Sequence, residues 1–100
     1  MPRSTRLITE SQTLELPYVS EIANVSGIGN VYAIPSEELD DVDKITDQAL
    51  RNAVMNTMYR LLPGQRRTLA KGKYQIICLS NTTAFLSCSG LLAPSTKPAN

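Results

Sequence analysis

The chain of 100 residues has no histidine, no tryptophan, one phenylalanine and two cysteines. Each scarcity closes something off. Without histidine the commonest general base is gone, and with it the usual serine and cysteine triads and most zinc sites. Cys78 and Cys88 alone cannot complete a four-ligand zinc site within one chain. With so few aromatics, the core must be built from Leu, Ile, Val, Ala and Met. No apolar run approaches the ~18 residues of a membrane span. The opening MPRSTRLITE has two arginines but no apolar stretch behind them, as a secretory signal would need. These features lead us to expect a cytoplasmic protein with reduced thiols, no metal, no cofactor, no membrane contact and no enzymatic activity.

A further absence is one of sign. No acid follows Asp47, so residues 1–47 carry −6 and residues 48–100 carry +7, while the whole chain is +1. Such a split raises nucleic-acid binding as a reading. A near-neutral total favours the simpler one, in which the two halves lie against each other.

What is present reads as one domain. Residues 1–5 are expected to be loose, 6–92 to form a single α+β domain, and 93–100 to be a loose polar tail. Short strands are predicted over 6–9, 13–16 and Val31–Ile34, from alternation and from the flanking Gly27, Gly29 and Pro35. YVSEIANV, residues 18–25, fits either a helical turn or a strand. From about Ser36 to Leu62 the spacing of Leu39, Val42, Ile45, Ala49, Ala53 and Leu61 predicts one long helix, capped by Ser36 and stopped by Pro63-Gly64. A break near Asp43–Thr46, with Thr46 as a fresh cap, is the alternative. YQIICLS and AFLSCSGLL then predict a C-terminal hairpin with Cys78 and Cys88 in facing strands. The expected architecture is a two-layer α+β domain, a mainly antiparallel sheet packed on one long central helix.

Three groups of residues are candidates for contact with a partner. Glu37, Glu38, Asp40, Asp41 and Asp43 would sit at the helix start, where the dipole suits them, and could also form an acidic docking surface. Gln48, Asn52 and Asn56 form a row of amides at i,i+4 spacing. Arg66, Arg67, Lys71 and Lys73 crowd into eight residues, with Arg51 and Arg60 near, as an anion- or partner-binding patch. Few aromatics interleave with those cations, which argues against a single-strand stacking platform. The leading expectation is a small non-enzymatic accessory or adaptor protein that docks to a protein partner. The alternative is a small nucleic-acid-binding protein using the basic 60–73 region. A homodimer, acidic start against basic turn, is a further expectation.

Overall fold

The computed structural model describes residues 3–79 and 81–89. Among the described residues, eight strands form two four-stranded antiparallel sheets. The strands are β1 (Arg3–Ile8), β2 (Gln12–Leu16), β3 (Ser20–Asn24), β4 (Val31–Pro35), β5 (Arg60–Leu61), β6 (Arg66–Leu69), β7 (Gly72–Cys78) and β8 (Ala84–Ser89). The first sheet has the order β1-β8-β3-β6 and the second β2-β7-β4-β5. Their inner faces meet in one core: Ile8, Ile22 and Leu86 from the first, Leu14, Val31 and Ile76 from the second, all at most 2% exposed. This is a β-sandwich.

Except for β4 and β5, which pair within the second sheet, consecutive strands stand in different sheets. The expected C-terminal hairpin is overturned for this reason. β7 pairs with β2 and β4, whereas β8 pairs with β1 and β3. Cys78 lies opposite Val31 and Cys88 opposite Ser4 and Ser20, and the two form no disulfide.

The long central helix is also overturned. The single α-helix among the described residues, α1, spans only Asp47–Val54. Residues 36–46 form turns because the sheet captures their backbone. The N–H of Val42 donates to Thr13 Oγ1 and Gln75 Oε1, both at 3.0 Å, in place of a helical carbonyl. Ser36, expected as the cap, accepts instead from Gln75 Nε2 at 2.8 Å. Of the alternative, a break with Thr46 as a fresh cap, only the cap is found, since no helix precedes it: Thr46 Oγ1 accepts from Ala49 N at 3.1 Å. At the far end Asn56 Oδ1 accepts from Met58 N, so the chain turns into a short 3-10 segment, Thr57–Tyr59. Pro63-Gly64 ends no helix. It is the centre of a β-turn between β5 and β6, closed by Gln65 N to Leu62 O at 2.9 Å, with Gly64 at φ +85°.

The apolar spacing of that segment still finds a sheet. Leu39, Val42, Ile45, Ala49 and Ala53 pack on Tyr32, Ile34 and Ile77, the outer side of the second sheet. Alternation in β4 makes this work, since Val31 and Ala33 face the sandwich core while Tyr32 and Ile34 face α1. β1 begins at Arg3, inside the stretch expected to be loose. The expected tail, 93–100, lies outside the described residues.

Candidate functional site

The basic patch of the sequence is not one patch in space. Arg66 and Arg67 belong to β6 in the first sheet, Lys73 to β7 in the second, and Lys71 to the turn between them. Strand alternation then sends neighbours to different sides. Arg66 lies on the outer face of the first sheet, where it meets Glu21 at 3.3 Å. Arg67 turns to the open edge of the sandwich and donates to the Arg60 carbonyl at 3.2 Å. Lys73 emerges on the outer side of the second sheet and pairs with Asp41 at 2.9 Å. Arg60 is a half-buried residue of β5, and Arg51 is exposed on α1.

Both ion pairs join the acidic first half of the chain to the basic second half. Each is partly solvated and contributes little to stability on its own. The Lys73 hydrogen bond nevertheless holds the Asp41 carboxyl below the usual range and raises the Lys73 ammonium.

The acids do not line a helix start. Glu37, Glu38, Asp40 and Asp43 are exposed on turns, and Asp41 is tied to Lys73 and to Gln75 Nε2. Glu38 interacts with the hydroxyl of Tyr59 and raises it above the ordinary tyrosine range. A cavity of about 360 Å³ opens here between α1 and β4. Ile34, Leu39, Ala49 and Ala53 supply its apolar walls, and Glu38, Asn52, Asn56 and Tyr59 its polar ones. The fold thus brings together one acid and two members of the amide row. Gln48 Nε2 donates to Asn52 Oδ1 at 3.1 Å.

A second feature gave no clear signal in the sequence. The outer face of the first sheet has no counterpart to the α1 layer among the described residues. Register places Leu7, Phe85, Ala23 and Arg66 in one row across β1, β8, β3 and β6. Val25 continues the outward series of β3 beyond its end. Leu7 is 62% exposed, Val25 54% and Phe85 40%. Only the alternation of LIT and AFL in the sequence hints at this, and it does not reveal which face stays uncovered.

Two buried amides serve structure. Asn24, fully buried, donates to Gly29 O at 3.0 Å and Leu61 O at 2.9 Å and accepts from Ser26 N. Gln75 does the same for the turns of residues 36–42. Among the described residues no group of three or more acidic or cysteine side chains is placed to hold a metal ion. Nor is any helix among the described residues long and apolar enough to cross a membrane. Comparison with protein families, with curated proteins and with solved structures finds no match to this chain.

Proposed function

We propose that the protein is a small non-enzymatic accessory or adaptor that docks onto a protein partner through the bare face of its first sheet. The observation that carries this is the cross-strand group Leu7 and Phe85, with Val25 beside it. It consists of large apolar side chains exposed together on one sheet face, while the equivalent face of the other sheet is covered. Arg66 and Glu21 neutralise each other on the same face. An apolar, uncharged protein surface is the complement of that arrangement. Nucleic acid is the poorer complement, because the cations it would use are divided between two faces and two of them already have carboxylate partners.

The test is quantitative capture from host extract, with and without nuclease, by the wild type and by a Leu7→Ser/Phe85→Ser variant. Loss of the captured partner with an unchanged melting temperature is expected. Equal capture by both proteins, or capture abolished by nuclease, would overturn the reading.

A further inference from the structure

The cavity between α1 and β4 lies on the other side of the molecule from the bare sheet face, and its chemistry is different. Glu38 is the charged residue of its lining, and no lysine or arginine contributes to the wall. Asn52 Oδ1 is taken by Gln48 and Asn56 Oδ1 by the Met58 N–H. Each amide therefore keeps its N–H donors without a partner among the described residues. The rest of the lining is aliphatic, Ile34, Leu39, Ala49 and Ala53, apart from Tyr59.

An occupant must satisfy all of this together. It needs a cation for Glu38, an aliphatic stem for Ile34, Leu39, Ala49 and Ala53, and carbonyl oxygens for Asn52 and Asn56. A basic residue within a peptide has these three parts in order: charged head, methylene stem, backbone carbonyls. The Tyr59 ring offers the cation a further favourable contact. Glu37 and Asp40, exposed beside Glu38 on the same turn, add negative potential at the mouth. An acidic or neutral peptide would leave Glu38 without a counter-charge.

We propose that this cavity receives a lysine or arginine side chain from an extended basic segment of a partner protein, with Glu38 as its counter-ion and the Asn52 and Asn56 amides holding the peptide carbonyls. The site does not depend on the bare sheet face, and each can fail without the other.

The probe is N-acetyl-lysine-methylamide, titrated into the whole isotope-labelled protein and followed through backbone amide shifts. Saturable shifts confined to residues of this cavity, such as Leu39, Asn52, Ala53 and Tyr59, are expected. N-acetyl-norleucine-methylamide, which lacks the ammonium, should bind more weakly, and Glu38→Gln should lower affinity for the lysine probe about fivefold. Glu38 is exposed, so this variant keeps the fold, and an unchanged spectrum elsewhere verifies that. n-Butylamine should bind less well than the blocked lysine, because it brings no carbonyls to Asn52 and Asn56. No saturable shifts here, equal binding of the norleucine compound, or indifference to Glu38→Gln would overturn the proposal. Equal binding of n-butylamine would replace the peptide with a simple amine and overturn it too.

Discussion

Asn24 is the position at which one atom's change should matter most. Its side chain closes the end of the sandwich by joining β3 to the 25–30 loop and to β5. Asn24→Asp keeps the shape but replaces an amide N–H2 with a carboxylate oxygen facing the carbonyls of Gly29 and Leu61, which it now holds at 3.0 and 2.9 Å. The buried Leu61 carbonyl loses its donor, at about 1–3 kcal/mol, and the part-buried bond to Gly29 O is lost as well, at about 0.5–1.5 kcal/mol. The loss is therefore about 1.5–4.5 kcal/mol before the cost of burying the new charge, against a total of about 5–15 kcal/mol for a typical domain. Burial beside two carbonyls raises the introduced carboxyl above its unfolded value of about 3.9. Its protonated form is then favoured in the folded state, so the deficit grows as pH rises through the folded pKa and shrinks toward acid. When protonated, the carboxyl can donate to one of the two carbonyls again. Melting followed by circular dichroism, with wild type measured at each pH, should show a drop of at least about 10 °C at neutral pH and a smaller one near pH 4.5. A drop within about 3 °C at neutral pH, or a deficit that ignores pH, would refute the argument.

Other positions test other parts of the fold. Gly64→Ala should cost about 1–2 kcal/mol from the positive φ alone, since a Cβ there meets nothing within 4 Å; Gly27→Ala, equally open but without a positive φ, is the control expected to melt near wild type. Asp41, held low by Lys73, contributes stability that is present above its unfolded pKa and lost as pH falls through the folded value. Asp41→Asn should therefore flatten the stability curve in the acid range, and an unaltered curve would mean the pair contributes nothing. Burial pushes the Cys78 thiol up to about 11. At pH 8 roughly one thiol in a thousand is ionised, so iodoacetamide should label Cys78 slowly until denaturant is added, and rapid native labelling would contradict its placement.

Local chemistry was legible in the sequence. The alternation of TLEL, the glycine and proline flanks of VYAI and the apolar run of YQIIC marked strands, and Thr46 was readable as a cap. Val42, Ile45, Ala49 and Ala53, read as facing a sheet, do pack on one, whereas Leu61, read with them, is a strand residue of the sandwich core. These features depend on side-chain period and on backbone groups within a few residues, and that information is present in the chain itself. Tertiary structure alone decided the rest. A strand's period does not name its partner, so YQIIC and AFLSC looked like a hairpin although they lie in opposite sheets across the core. The same crossing of the core divides Arg66 from Lys73, which are seven positions apart in the chain. Residues 36–46 carry a helical spacing, yet Thr13 and Gln75, distant in sequence, take the Val42 N–H that a helix would use. A weak local preference yields to buried hydrogen bonds that exist only once the sandwich has closed.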